Sequence, residues 1–276
     1  MTTDLTRPLP AGPATRRSDP GLRSALRLLA VVISVLLVGF GAWSLVSLLA
    51  RSTQRQQATY AGIQVVDVDL AFESLHVTAH DSAEVDLSRR WSWSFGEPTV
   101  SQRKVGNRMV VTSDGCGFTP GLGCTGSVDL DVPRNVTLRL RASNSGLTLQ
   151  DLTGDIDAST SNGSVVGAGL TGPLRLHTSN GRIELTGLRS GRVDGSTSNG
   201  SVRLTFRTAP TTVVARTSNG TVEVVVPRDG SAYRVDATTS NGANQVTVPT
   251  DPQSDRTIGA PTSNGAVRVL DRPSPR

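Results

Sequence analysis

The sequence contains very few of the residues that build metal and redox sites. Its 276 residues include two cysteines, Cys116 and Cys124, and three scattered histidines. A structural zinc site needs four such ligands close together, and a disulfide framework needs more cysteines than two. We therefore expect no metal, no cofactor and no disulfide framework.

The chain is also poor in lysine and in aromatic residues. Lys104 is its only lysine, aromatic residues make up 4% of the chain, and the net charge is +5. Five Arg and only two Asp fall within residues 1–27, so most of the basic excess lies near the N-terminus. Because the rest of the chain carries little of that excess, we expect no nucleic-acid partner.

One segment is long and apolar enough to cross a membrane. Residues 28–50 contain no charged side chain. As a helix this segment spans roughly 35 Å, and the hydrocarbon core of a bilayer is about 30 Å thick. The sequence therefore predicts one transmembrane helix over residues 28–50. A signal peptide cleaved after Ala42-Trp43-Ser44 is the alternative.

The arginines on either side of this segment predict its orientation. Five Arg precede it, and Arg51 and Arg55 follow it closely. By the positive-inside rule, the N-terminus is cytoplasmic and the remainder is extracytoplasmic. We therefore expect a single-pass cell-membrane protein with a disordered cytoplasmic tail (1–27), a polar stalk (51–61) and an extracytoplasmic β domain.

A short motif repeats through residues 136–270, leaving 271–276 as a C-terminal tail. Ser-Asn-Gly, with Ser143-Asn144-Ser145-Gly146 as a variant, recurs at intervals of 18, 18, 19, 20, 22 and 23 residues. Such a period is typical of repeat architectures. The corner asparagines are Asn144, Asn162, Asn180, Asn199, Asn219, Asn241 and Asn264.

Apolar residues alternate with polar ones on both sides of each corner. The positions six and four residues before the asparagine are apolar or Gly, and so are those three and five residues after it, except for Asn244. A period of two is typical of half-buried strands. The pattern therefore predicts that each repeat forms a strand, a corner and a second strand. The repeats must stack on one another, because a single repeat has too little apolar surface to form a core.

Charged residues distinguish a parallel stack from an antiparallel meander. Two sets alternate in sign at equivalent positions of consecutive repeats: Arg139, Asp157, Arg175 and Asp194, and then Glu184, Arg203 and Glu223. Parallel stacking places each of these beside an opposite charge about 4.8 Å away. The alternation favours an all-β fold, a parallel β-solenoid (β-helix) of about seven coils of 18–23 residues.

The corner residues are assigned structural roles. Gly after Asn permits positive φ, and Asn tolerates the left-handed region. We expect the stacked asparagines to hydrogen-bond as an amide ladder. The alternative is that they line a ligand-binding face. The Thr two residues before the asparagine shares the buried parity and is expected to stack rather than to bind a ligand.

Residues 62–135 are β-like but lack the regular corner, so we interpret them as an irregular β cap at the start of the solenoid. Within them, two guanidinium groups and two aromatic rings lie close together, in Arg89, Arg90, Trp91 and Trp93. These side chains either cover the open end of the core or bind a ligand by stacking on sugar rings or nucleobases. Alternating Trp residues in a strand favour the first role.

The two cysteines flank a loop that contains Gly and Pro. Cys116 precedes this loop and Cys124 follows it. The exterior of a membrane is often oxidising, which favours a local disulfide over two thiols.

The sequence combines an N-terminal membrane segment with Ser-Asn-Gly corners that are followed by strands of alternating Val or Leu, as in Thr197-Ser-Asn-Gly-Ser-Val-Arg-Leu204. This combination resembles the bacterial putative-adhesin family of β-strand-repeat domains, over roughly residues 60–270. The resemblance implies a pectin-lyase-like β-helix in the bacterial cell envelope, with a conjectured role in adhesion. It carries no established catalytic residues that would transfer to this sequence.

The favoured function is a membrane-anchored binding or interaction module, an adhesin or an envelope scaffold. Its expected partner is an envelope polysaccharide or a protein, and a homodimer is left open. An envelope-stress sensor or regulatory scaffold is the alternative, followed by a polysaccharide-acting enzyme. Such an enzyme needs paired carboxylates. Arg175 separates and neutralises Asp157 and Asp194, so we expect no catalytic residues and no enzyme.

Overall fold

The computed structural model describes residues 20–94, 97–115 and 124–272. The chain divides into two units, one ending at Leu49 and the other beginning at Ala50. The first contains helix α1 (Pro20–Leu49), and the second contains strands β1 to β21 in two sheets. The protein is therefore mostly β with one N-terminal helix.

Helix α1 begins at Pro20, earlier than the predicted start at residue 28. Proline is favoured in the first turn, because its fixed φ suits a helix and its missing N–H would have no partner there. Within α1, Ser24–Val46 has a mean hydropathy of 2.4, and none of it is buried. The helix has the length and composition of a membrane anchor or of a signal sequence. Most of the predicted cytoplasmic tail lies outside the described residues.

The strands are numbered in chain order. Sheet A contains, from edge to edge, β1 (Ser52–Ala61), β4 (Glu84–Trp93), β7 (Thr125–Pro133), β3 (Glu73–His80), β9 (Leu147–Gln150), β11 (Val165–Ala168), β13 (Ile183–Leu188), β15 (Val202–Phe206), β17 (Val222–Pro227), β21 (Val267–Arg272) and β19 (Asn244–Val246). Sheet B contains β18 (Arg234–Asn241), β20 (Thr257–Asn264), β16 (Thr212–Asn219), β14 (Arg192–Asn199), β12 (Leu174–Thr178), β10 (Ile156–Thr160), β8 (Thr137–Ala142), β2 (Val65–Leu70), β6 (Arg108–Ser113) and β5 (Val100–Val105).

Both sheets are mixed. The pairs β1–β4, β4–β7 and β5–β6 are antiparallel. The other neighbouring strands within the described residues pair in parallel. The antiparallel pairs all involve strands from the predicted irregular cap, together with β1 from the predicted stalk.

In the repeat region, each repeat places its first strand in sheet B and its second strand in sheet A, with the Ser-Asn-Gly corner between them. We term this strand–corner–strand unit a coil. Neighbouring coils pair in parallel, so that Asp157 lies between Arg139 and Arg175. The register predicted from the charge alternation is therefore confirmed.

The coils do not stack in chain order. The last coil, β20 and β21, lies between the coils β16/β17 and β18/β19, both of which precede it in the sequence. In the same way, β2 and β3 lie between β8/β9 and β6/β7. Each inserted coil therefore has paired neighbours on both of its sides.

The prediction of a polar stalk over residues 51–61 is wrong. Ser52–Ala61 forms β1, which pairs antiparallel with β4 along its whole length. The Arg51 guanidinium donates to Ser92 Oγ at 3.2 Å and to Thr125 Oγ1 at 3.3 Å. A sequence rich in Gln and Arg suits an edge strand, because such a strand has little apolar surface to bury. The predicted C-terminal tail is also shorter, since β21 continues to Arg272.

Alternating apolar side chains from the two sheets fill the interior, but the outermost coil departs from this pattern. Asn244 and Val246, at positions where the other coils bury apolar residues, are exposed. The coil β18/β19 has a neighbouring coil on one side only, so its interior positions face water. Asn244 Nδ2 donates to the Ala237 carbonyl oxygen at 2.6 Å. The polar residue thus satisfies a backbone group at the open end of the stack.

Candidate functional site

The corner asparagines form one continuous amide ladder. Each ladder bond joins the Nδ2 of one asparagine to the Oδ1 of the next, at 2.8–3.0 Å. The order along the stack is Asn144, Asn162, Asn180, Asn199, Asn219, Asn264 and Asn241. The ladder uses one donor and one acceptor of each inner side chain. This supports a structural role for these residues over a ligand-binding one.

Threonines form a second ladder beside the corners. The Thr178 Oγ1 donates to the Gly163 carbonyl oxygen at 2.8 Å, and the Thr197 Oγ1 donates to the Gly181 carbonyl oxygen at 3.0 Å. Equivalent bonds occur in four further coils. Each hydroxyl satisfies a corner carbonyl that the sheet hydrogen bonds leave free.

The corner glycines are needed for close approach between coils. A Cβ on Gly181 would overlap the carbonyl oxygen of Gly163, and one on Gly163 would overlap that of Ser145. The corner asparagines do not use the left-handed region that their residue type tolerates. Among the described residues other than Gly, Asp151 alone has a positive φ. The corner glycines Gly200, Gly220 and Gly265 do have positive φ. Glycine therefore serves the turn at these three corners and close approach at all six Ser-Asn-Gly corners.

A buried ion pair lies inside the N-terminal part of the second unit. Arg89 Nη2 donates to Glu73 Oε1 at 2.7 Å, and both side chains are 0% exposed. The Ser113 hydroxyl donates to the other oxygen of Glu73. Gly126, on the strand between β3 and β4, leaves the space for this contact, because a Cβ there would meet the Glu73 side chain. Loss of either charge would leave the other unpaired in the interior.

The two Arg and two Trp residues of the cap do not form one surface. Arg89 and Trp91 face the interior, with the guanidinium carbon 5.4 Å from the centre of the indole ring. Arg90 is exposed on the opposite face of β4, and Trp93 is partly exposed at the end of that strand. Because alternate residues point to opposite faces, one ligand cannot contact all four. The arrangement supports covering of the core over ligand binding.

The structure describes one of the two cysteines. Cys124, directly before β7, is disulfide-bonded. Cys116, its predicted partner, lies outside the described residues. The pairing of these two positions stays a prediction.

Sheet A carries a row of alternating charges on its outer face, which we term the sheet A row. It consists of Glu184, Arg203, Glu223 and Arg268 in neighbouring coils. The Arg203 guanidinium lies 3.9 Å from the Glu184 carboxylate and 3.6 Å from that of Glu223. Arg272 lies 4.0 Å from the same Glu223 carboxylate. Each charge in the middle of this row therefore has a partner of opposite sign.

Sheet B carries an equivalent row, the sheet B row, which contains Asp67, Arg139, Asp157, Arg175 and Asp194. Its terminal carboxylates pair with arginines outside the row. Asp67 pairs with Arg108 at 2.8 Å, and both oxygens of Asp194 accept from Arg216, at 3.0 and 3.1 Å. Across the described ranges, the three middle side chains have no ion pair within 4.0 Å. The middle of this row is therefore open.

A shallow groove of about 410 Å³ runs along the open part of the sheet B row. Arg139, Asp157 and Arg175 line it, together with Arg192 and Val214. The guanidinium group presents a planar fork of donors that matches carboxylate or phosphate oxygens. Arg139 and Arg175 therefore offer two anion-binding points with the Asp157 carboxylate between them, and Arg192, Asp155 and Asp194 also line the groove.

The sequence prediction missed several residues that shape this groove. Val214 occupies the position next to Asp194 in the register, and Arg216 lies two residues further along the same face of that strand. This spacing in the sequence could have predicted the contact between Arg216 and Asp194. Arg108 and Asp67 come from the irregular cap, where no corner motif aligns them with the repeats. Their proximity to the repeats depends on the insertion of β2 beside β8.

No family model and no curated protein matches this chain. Among solved structures, it is similar to a putative cell adhesion protein from Clostridium sporogenes (10% identity, TM-score 0.41, 80% of this chain and 100% of that one). It is also similar to a putative adhesin from Parabacteroides merdae (12% identity, TM-score 0.45, 79% of this chain and 96% of that one). A third similar structure is a putative lipid binding protein from Parabacteroides distasonis (10% identity, TM-score 0.38, 80% of this chain and 97% of that one). At these TM-scores the likeness carries no argument about function, and the resemblance to an adhesin family with a pectin-lyase-like β-helix stays a prediction.

Proposed function

We propose that this protein is a membrane-anchored extracytoplasmic β-solenoid that acts as a binding module, either an adhesin or an envelope scaffold. The observation that carries the proposal is the open middle of the sheet B row, where three charged side chains line a groove without partners. The partner is an envelope polysaccharide or a protein of the envelope. Helix α1 is the anchor.

The parallel coils support the β-solenoid part of this proposal. Their amide and threonine ladders hold each coil in register with the next. The groove side chains therefore stand at a fixed spacing of about 4.8 Å per coil. A site held in place before binding loses less conformational entropy on binding. The antiparallel strands β1, β4 and β5 form the cap of the solenoid.

The charge asymmetry around α1 supports the location. Five arginines precede the apolar segment, and Arg51 and Arg55 follow it. The positive-inside rule then leaves the β unit outside the cytoplasm. A reporter enzyme that is active only outside the cytoplasm, fused after Arg276, should be active. An inactive reporter in an intact fusion would overturn this orientation.

The geometry of the groove supports binding over catalysis. Glycoside hydrolysis uses two carboxylates that flank the scissile bond. Three carboxylates line the groove: Asp194 is held by both of its oxygens to Arg216, and Asp155 and Asp157 come from one coil, two residues apart. Among the described residues, no group of three or more His, Cys, Asp or Glu side chains is placed to hold a metal ion. We propose that the protein is not an enzyme.

Cosedimentation with isolated bacterial envelopes tests the proposed function. Full-length protein in detergent micelles should bind envelopes in a saturable manner. Protease treatment of the envelopes removes binding if the partner is a protein, and periodate oxidation removes it if the partner is a polysaccharide. The absence of saturable binding would overturn the proposal.

A further inference from the structure

We infer that the sheet B groove binds a linear acidic polysaccharide that carries one carboxylate for every two sugars. This inference deepens the proposed function and rests on it. The polymer lies along the stacking axis, across β8, β10 and β12. Its successive carboxylates contact Arg139 and Arg175, and the intervening sugar lies over Asp157.

The spacing of the two arginines carries the first step. Arg139 and Arg175 are on strands separated by β10, so their backbones lie two strand spacings apart, about 9.6 Å. This distance matches the length of a disaccharide unit in an extended polysaccharide. A polymer with a carboxylate on alternate sugars therefore presents its charges at the spacing of the two guanidinium groups.

The availability of the two arginines carries the second step. Arg108 and Arg216 engage the carboxylates at the two ends of the sheet B row. Asp157 lies between Arg139 and Arg175 in the row. Of the acidic residues next to these two arginines, it is the one that makes no ion pair with another described residue. Arg203, at the equivalent place in the sheet A row, lies between two carboxylates that it already contacts. The sheet B arginines thus retain free donors for a carboxylate ligand.

Asp157 carries the third step, because it selects between anionic polymers. It accepts hydrogen bonds from hydroxyl or amide groups of a neutral sugar that lies between two acidic sugars. A polymer with a carboxylate on every sugar would place a like charge against it, which is unfavourable. A nucleic acid, with a phosphate on every nucleotide, would do the same.

Four immobilised polymers test this inference by biolayer interferometry with full-length protein in detergent micelles. Hyaluronan alternates glucuronate with a neutral sugar, and polygalacturonate has a carboxylate on every sugar. Dextran is neutral, and single-stranded DNA carries a phosphodiester on every nucleotide. Hyaluronan should bind most tightly. The double variant Arg139→Gln/Arg175→Gln should bind it about tenfold or more weakly, because two charge-assisted contacts are lost.

Two further variants serve as controls. Arg207→Gln/Arg268→Gln removes the same charge from exposed positions outside the groove, and should leave hyaluronan binding unchanged. Asp157→Asn should bind polygalacturonate more tightly than the parent protein does, because the like charge is gone. All substituted positions are exposed, so the melting temperatures should stay close to that of the parent protein.

Several results would overturn the inference. These are equal affinity of the parent protein for hyaluronan and polygalacturonate, tighter binding of DNA or dextran, or unchanged hyaluronan binding in Arg139→Gln/Arg175→Gln. Saturable envelope binding without hyaluronan binding would overturn this inference and leave the proposed function standing. The absence of both envelope binding and hyaluronan binding would overturn the inference and the proposed function together.

Discussion

The sheet A row and the sheet B row have the same alternation of sign and the same parallel pairing, yet one is closed by ion pairs and the other is open. In the sheet A row, Arg203 contacts both of its acidic neighbours. In the sheet B row, Arg175 has acidic neighbours on both sides in the register and contacts neither within 4.0 Å. Register alone therefore does not determine which charges pair.

The difference arises from arginines next to the rows. Arg216 projects from the same face as Asp194 and takes both of its oxygens. In the sheet A row, Arg182 and Arg272 also come from outside the row and lie 3.3 Å from Glu184 and 4.0 Å from Glu223, but both carboxylates stay within 4.0 Å of Arg203. The neighbouring arginines therefore leave the contacts of Arg203 in the sheet A row intact, whereas in the sheet B row Asp194 contacts Arg216 and Arg175 keeps free donors.

Gly181→Ala should have the largest effect, because it attacks the stacking on which both rows depend. The new Cβ would overlap the backbone of the preceding corner, which rotamer changes cannot relieve. We expect a loss of about 3 kcal/mol in the free energy of unfolding of full-length protein in detergent, measured by urea denaturation. Gly146→Ala is the matched control, since its Cβ would meet Ser164 at an ordinary 3.6 Å. Similar losses in both variants would refute the close-approach argument.

Neutralising one carboxylate in each row gives the next largest effect. Glu223→Gln removes a mostly buried charge from between Arg203 and Arg272, and should lower the free energy of unfolding by about 1 kcal/mol. Asp157→Asn removes a carboxylate with no ion pair and should leave stability within measurement error. The comparison fails if Asp157→Asn is the more destabilising of the two.

Double-mutant cycles should separate the rows more finely. We expect a coupling energy of about 0.5 kcal/mol between Arg203→Gln and Glu223→Gln, and a smaller one, below about 0.2 kcal/mol, between Asp157→Asn and Arg175→Gln. Both cycles should be measured at low salt, where the screening of charge–charge interactions is weakest. A coupling as large in sheet B as in sheet A would show that the sheet B row is closed in solution.

The smallest effect concerns acid stability in sheet A. A hydrogen bond from the Arg228 guanidinium to Asp271 holds the pKa of that carboxyl below its usual value. A lowered folded-state pKa contributes stability above the unfolded-state value, about 3.9, and this contribution is lost as the pH falls through the folded-state pKa. Asp271→Asn should therefore reduce the loss of stability below about pH 4 relative to the parent protein. An unchanged acid profile in urea denaturation would contradict this.

Much of the repeat region follows from local pattern. The period of two on each side of the corner predicts the strands, and the alternating charges predict the pairing of Asp157 with Arg139 and Arg175. These features depend on residues at matching positions in consecutive repeats. Each can therefore be found by aligning the corners.

The remainder depends on contacts that no local pattern encodes. Chain order predicts Gln245 beside Glu223, but the inserted coil places Arg268 there and extends the alternation of the sheet A row. Asn244 is polar at a position where the other repeats carry a buried apolar residue, and this was a signal that its coil lies at the open end of the stack. At the end of the sheet B row, Asp67 likewise pairs with Arg108 from the cap, whose position depends on the tertiary fold alone.

The insertion of the last coil between two earlier ones has a consequence for how this fold grows and comes apart. The outermost coil at that end is an internal segment of the chain, while the C-terminal strands β20 and β21 are paired on both sides. Unravelling from the C-terminus must therefore break two ladders at once. A repeat appended after β21 would find no free edge beside it, because the free edge at that end belongs to β18 and β19, one coil further along the stack.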